Sequence, residues 1–182
     1  MATQMIDSNP FDALLAVDFK ARSESSMADK EVTQDDWSGV LFRVSNSYAL
    51  APMSMLLEIV PPMETSRIPG VKPWLKGVGN LHGSLLPVVD LQGFLFGKSL
   101  TQSEQSQRML VVSDGEHKIG LLTNEVFGMK HFQVSDEVNE MPEVQVELRP
   151  YITAALQRFD EHFAVFNINQ LLSDPAFLDA AV

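Results

Sequence analysis

Cysteine is absent from the 182 residues, so no disulfide framework, thiolate zinc site or cysteine nucleophile is available. That absence fits a reducing cytoplasm, where disulfides are rare. Positive charge is scarce: 13 basic side chains stand against 24 acidic ones, a formal net charge of −11. Such a chain repels nucleic acid and anionic membranes unless it carries a local basic patch, and the sequence shows none. No apolar stretch reaches membrane-spanning length without a polar or proline break, and the start lacks the basic flank and apolar run of a signal peptide. The expectation is a cytoplasmic chain with no nucleic-acid partner and no direct membrane insertion.

Catalytic patterns are missing as well. There is no G-x-S-x-G nucleophile elbow. His82, His117, His131 and His162 are scattered, without the i, i+4 pairing of helical zinc sites. Asp114, Glu116 and His117 cluster at what reads as a solvated hairpin tip. Asp90 follows an apolar run, and its simplest role is a carboxylate accepting backbone N–H bonds at a strand end. The reading is of a non-enzyme with no catalytic residue, metal site or cofactor.

What is present suits one domain with a real core, since apolar residues make up 45% of the chain. Residues 1–36 read apart from the rest. Asn9 and Pro10 open a short amphipathic helix over residues 10–22, with Phe11, Leu14, Leu15 and Phe19 at near-helical spacing. Ser23–Asp36 is serine- and acid-rich and reads as a solvated linker. From Trp37 to Val182 the pattern changes to strands. Val40–Val44 is a strand ending in a turn at Asn46–Ser47. Tyr48–Val60 is extended but interrupted at Pro52, and Met53–Ile59 fits either a strand or a buried helical turn. Pro61–Pro62 stops it. Arg67–Gly79 reads as a loop with one helical turn over Lys72–Leu75.

Asp114–Gly115 between two apolar runs, Met109–Ser113 and His117–Leu122, is a strong hairpin signal. Val126–Phe132 gives a further strand and Asp136–Leu148 a loop. Tyr151–Arg158 and Phe163–Ile168 form another hairpin around Phe159–His162. Asn169–Leu172 and Pro175–Ala181 are helical, with Ser173 or Asp174 as cap. Many short strands with glycine turns predict a mainly β chain of small barrels or a sandwich.

The stretch Trp74–Gly97 is apolar and punctuated by glycine. Gly77, Gly79 and Gly83 loosely mimic a phosphate-cradling loop, but that motif needs a helix to follow. Pro87 forbids a continuing helix and tolerates only an edge or bulged strand. Local chemistry favours two buried strands around a tight turn at Leu81–His82–Gly83, with Leu86, Val88, Val89 and Leu91 buried.

The same residues carry a family resemblance. Gly77-Val-Gly79-Asn80-Leu81-His82-Gly83, followed by Leu86-Pro87-Val88-Val89-Asp90-Leu91, resembles the G-x-x-N-L-R-G-x-x-x-P-x-x-D-L signature of CheW-like adaptors. Ile68-Pro69-Gly70 and Pro73-Trp74 fit the segment that enters it. The resemblance covers about Trp37–Leu172 and implies two SH3-like five-stranded β-barrels sharing an apolar seam, with the first strand completing the second barrel.

The resemblance also implies a non-catalytic scaffold that joins the cytoplasmic tip of a methyl-accepting chemoreceptor to the regulatory domain of a CheA-like histidine kinase. Pro10–Leu15 and Pro175–Leu178 resemble the flanks of PilI-type members, which serve chemotaxis-like systems controlling type IV pili and twitching motility. The alternatives are an adaptor of flagellar chemotaxis, or a small-ligand or catalytic barrel with its site in the inter-barrel groove.

The family's receptor-facing groove maps onto Leu56, Glu58, Asn80, Leu81 and His82. Each also has a plain structural reading: Leu56 as core, Glu58 as rim, Asn80 as a turn residue bonding its own backbone. One departure stands out. The signature arginine is His82 here, and histidine lacks the two-pronged fork with which arginine holds a carboxylate. Either the partner contact is neutral, or a receptor or kinase carboxylate faces the position and draws the histidine toward its charged form; the plain reading is a turn residue, since turns tolerate histidine at positive φ.

Overall fold

The structure, a computed structural model, describes residues 36–100, 105–113 and 115–182. The helix expected over residues 10–22 and all but the last residue of the linker lie outside the described residues. Eleven strands are present among those described. They are β1 (Asp36–Val44), β2 (Ser47–Pro52), β3 (Leu56–Val60), β4 (Leu75–Leu81), β5 (Ser84–Asp90), β6 (Arg108–Ser113), β7 (Lys118–Thr123), β8 (Glu125–Gln133), β9 (Glu137–Val138), β10 (Ile152–Arg158) and β11 (Glu161–Phe166). Three short helices accompany them: α1 (Leu91–Phe96), α2 (Ile168–Leu172) and α3 (Pro175–Leu178).

The strands form two sheets. One runs β8-β1-β2-β11-β10-β9 and the other β3-β6-β7-β5-β4. The first and last thirds of the domain therefore share a sheet, with β2 lying parallel to β11, while the middle third makes its own, with β5 parallel to β7. The middle sheet closes on itself. Ser66, in the connection after β3, exchanges both backbone hydrogen bonds with Val78 of β4, at 2.9 and 3.0 Å. The closure needs Gly77, whose φ is 134° and where a Cβ would meet the Ser66 carbonyl oxygen at 2.1 Å.

Strand alternation sorts the core into three parts. In β6, Met109 and Val111 point into the middle barrel with Leu86, Val88 and Leu122. Their neighbours Leu110 and Val112 point out of it, into a seam with Phe42, Val44, Leu121 and Phe166. In β1, Leu41 and Trp37 face the interior of the other barrel with Leu50, Phe132 and Leu156. The seam between the barrels is the largest of the three clusters. Strands buried on both faces have no polar side, which is why their sequences are continuous apolar runs.

Several local expectations are refined. The ambiguous Met53–Ile59 is one 3-10 turn, Met53–Met55, leading into β3. Leu75–Gly79, expected as loop, is strand, because Ser66 and β5 pair it on both sides. Pro87 lies in an interior strand rather than on an edge. It is tolerated because Val78 opposite gives its backbone groups to Ser66, and pairing of β5 with β7 starts only at Val88. The hairpin tip between β10 and β11 is two residues, Phe159 and Asp160 at positive φ, with Glu161 and His162 in the strand.

The run Leu91–Phe96 is helical. Its N-cap is the fully buried Asp90, whose two oxygens accept the Gly93 and Leu100 N–H groups, each at 2.8 Å. Lys76 Nζ stands 3.4 Å from the same carboxylate. That strand-end role is the one expected for Asp90, and Leu86, Val88, Val89 and Leu91 are all buried.

Candidate functional site

The turn between β4 and β5 is built by two residues in the left-handed region, His82 at φ 50° and Gly83 at φ 85°. Two positive φ values make the turn whose twist matches a two-residue hairpin, and glycine takes the second at no steric cost. Asn80 braces it: its Oδ1 accepts the Gly83 N–H at 2.9 Å. The Asn-x-x-Gly spacing of the sequence is thus a side-chain-to-backbone turn brace.

The turn reaches back to the opposite edge of the middle sheet. His82 Nε2 lies 3.1 Å from Glu58 Oε2 on β3. The His82 side chain is 76% exposed and that of Glu58 34% exposed, so the pair is at the surface. β3 and β4 are the two edges of this sheet, and the contact joins them where the Ser66–Val78 bridge does not reach. The carboxylate that the structure places beside the departure position is Glu58 of the same chain, and His82 itself takes the positive φ of a turn residue.

The other three candidates fall differently. Asn80 is exposed, whereas Leu81 is buried in the barrel interior beneath the turn. Leu56 is half-buried and packs against the seam. The structure therefore brings Glu58, Asn80 and His82 to one surface, with Leu81 as its floor and Leu56 on the adjoining strand.

Two exposed leucines flank these residues and were hidden in apolar runs. Leu85 pairs with Asn80 across the hairpin and is 80% exposed. Leu57 sits in a bulge, where the β3–β6 register shifts between Leu56 and Glu58, and is 53% exposed. Alternation from the buried Leu86 would have placed Leu85 outward, but a bulge has no comparable sequence signal.

The seam is filled by aromatic side chains rather than open: Phe42 meets Phe166 edge-on at 5.7 Å, and Tyr151 lies 5.8 Å from Phe166. A cavity of about 420 Å³ opens instead at the mouth of the middle barrel, between the Pro62–Arg67 connection and Val88, Met109 and Leu122. Among the described residues no group of three or more His, Asp or Glu is placed to hold a metal. Among them no helix is long and apolar enough to cross a membrane.

Comparison with known proteins places this geometry. The family model of the CheW-like domain matches residues 38–176. The chain is 37% identical over 175 residues to Protein PilI of Pseudomonas aeruginosa, covering 95% of this chain and 97% of that one. It is 26% identical over 129 residues to the chemotaxis protein CheW of Helicobacter pylori, covering 69% and 75%. The crystal structure of the scaffolding protein TtCheW from Thermoanaerobacter tengcongensis superposes with a TM-score of 0.65 at 18% identity, over 77% of this chain and 94% of that one, which shows the fold.

Proposed function

The chain belongs to the CheW-like family, whose members are non-catalytic scaffold adaptors, and from that premise we propose that it couples a chemoreceptor's cytoplasmic tip to a CheA-type histidine kinase. The system is a chemotaxis-like one controlling type IV pili and twitching motility. The observation that carries this finer reading is the end-to-end similarity to Protein PilI, which includes the flanks outside the two barrels. The shorter and weaker match to a chemotaxis CheW supports the flagellar alternative less.

Glu58, Asn80 and His82, with the exposed Leu57 and Leu85 beside them, form the receptor-facing surface in this reading. An exposed leucine beside a hydrogen-bonded polar pair suits an amphipathic helical hairpin, which offers apolar anchors and a polar flank. The kinase regulatory domain binds elsewhere on the barrels. The protein works in the cytoplasm and is recruited to membrane-associated receptor arrays. In this reading the residues before Asp36, which opens β1, act as an appended helix and linker outside the adaptor domain.

The deciding experiment immobilises a receptor cytoplasmic hairpin and adds the protein, then a kinase regulatory domain. Formation of a ternary complex is expected. Competition of the two partners for one surface contradicts the scaffold reading. Removal of residues 1–35 is expected to leave the thermal unfolding transition of the domain in place. Loss of a cooperative transition would place those residues in the core.

A further inference from the structure

The segment Asp174–Val182 lies across both barrels. At its start the Tyr151 hydroxyl, from the turn before β10, donates to Asp174 Oδ2 at 2.5 Å. Asp174 Oδ1 accepts the Ala176 N–H and caps α3. Phe177 then stacks on Trp74 at 5.7 Å with ring planes 13° apart, and Phe94 meets both rings edge-on. Further along, the Lys72 N–H donates to the Ala180 carbonyl at 2.8 Å and the Val182 N–H to the Gly70 carbonyl at 3.0 Å. Lys72 Nζ donates to the Asp179 carbonyl and stands 3.3 Å from its carboxylate.

Apart from the Tyr151 bond and the Phe94 ring, these contacts converge on one place, Gly70–Trp74, immediately before β4 begins at Leu75. Trp74 is also tied to β5, because its carbonyl accepts the Asp90 N–H at 2.8 Å. β4 runs from there, through a bulge between Leu75 and Gly77, to the turn that carries Asn80 and His82. The grip is concentrated: Phe177 is the one fully buried residue of the segment. A four-residue helix has no stability of its own, so a segment held by one buried side chain and a few surface hydrogen bonds opens at lower free energy than the whole domain.

We propose that Asp174–Val182 is a detachable strap that fixes the entry of β4 and thereby sets how firmly the Asn80–His82 turn is held. The strap acts on that turn whatever the turn binds. It makes Phe177 and Trp74 positioning residues for a surface at the other end of a seven-residue strand.

Amide exchange of the full chain tests it. In Phe177→Ala the amides of Lys72 and of Leu75–Leu81 are expected to exchange about tenfold faster or more, with β10 changing by less than about twofold. Leu178→Ala, an exposed neighbour, is expected to change neither. Acceleration confined to residues 168–182, or equal in β4 and β10, overturns the proposal. Should Phe177→Ala fail to fold, the surface double variant Lys72→Met with Asp179→Asn decides. Faster exchange in β4 than in β10 supports the strap, and unchanged exchange in β4 rejects it.

Discussion

His82 and Glu58 show what a single departure does to a surface. A contact between two exposed side chains, an ion pair only when the histidine is protonated, contributes about 0–1 kcal/mol to stability. His82→Ala is therefore expected to shift the unfolding free energy by less than about 1 kcal/mol, while weakening receptor-hairpin binding. His82→Arg places a permanent fork beside Glu58 and keeps the edges of the sheet joined. Calorimetric unfolding and receptor titration on the same samples check both. Equal receptor affinity for wild type, His82→Ala and His82→Arg would remove His82 from the proposed surface.

Tyr151 and Asp174 give a residue-scale prediction in pH. The hydrogen bond from the Tyr151 hydroxyl, followed by that from the Ala176 N–H, holds the Asp174 carboxyl below the usual carboxylate range. Burial, then the bond to Asp174 and its charge, push the Tyr151 hydroxyl above the ordinary phenol range. A carboxylate held down in the folded state adds stability that is complete above its unfolded value and is lost as pH falls through its folded one. A phenol held up adds stability that is complete below its unfolded value and falls as pH rises past it. The bond is therefore at full strength across the neutral range. Tyr151→Phe keeps the ring packing and is expected to cost about 1–2 kcal/mol at pH 7. That difference should shrink below the ordinary carboxylate range, read from urea melts of both proteins over an acid series. A difference that persists unchanged into strong acid would assign the loss to packing.

At the scale of elements, β4 is the strand most dependent on its glycines. Gly77 combines a positive φ with a backbone approach that leaves no room for a Cβ. Gly77→Ala is expected to destabilise by more than about 2 kcal/mol, since strain and displacement of the Ser66 connection act together. Gly83→Ala meets no neighbouring atom and carries only the strain of its φ of 85°. Its cost should be smaller, about 1 kcal/mol. Chemical denaturation of the two variants ranks them, and the reverse order would show that barrel closure at Ser66–Val78 contributes little. The glycines that loosely mimic a phosphate loop thus divide between barrel closure and a hairpin turn. Pro87 belongs with them: it stands in an interior strand only because the backbone opposite it bonds outward.

At the scale of the whole molecule, the seam decides how the chain can be divided. β1 and β2 share a sheet with β8–β11, so no cut near the middle leaves a complete barrel on either side. Residues 36–105 and 106–182 expressed separately are expected to be unfolded. Mixing them should restore strand signal in circular dichroism and the dispersed amide resonances of a packed core. A well-folded half alone would mean that the seam contributes little to stability.

Much of this was legible before any coordinates. Period and turn chemistry are local properties, so the hairpins at Gly83 and Gly115, the strand-end role of Asp90 and the two closing helices could be read from neighbouring residues, whereas the helix Leu91–Phe96 that Asp90 caps was hidden in an apolar run. The signature from Gly77 to Leu91 carried the family, because its order is too long to arise from packing alone. Other features depend on residues far apart in sequence. An apolar run such as Met109–Val112 looks the same whether one face or two are buried, and only the second barrel behind it decides. Leu81 and Leu85 are the same residue type in one hairpin, yet one is floor and the other surface, because register assigns the faces. The pairing of Glu58 with His82 across 24 positions, and the grip of Phe177 on Trp74, exist only because closing a barrel and packing a seam bring distant backbone together. The sequence by itself determined most of the strands, the turns and the family, because these are written in neighbouring residues; the tertiary structure decided which side chains are exposed and which face one another, because that depends on backbone brought together from far apart.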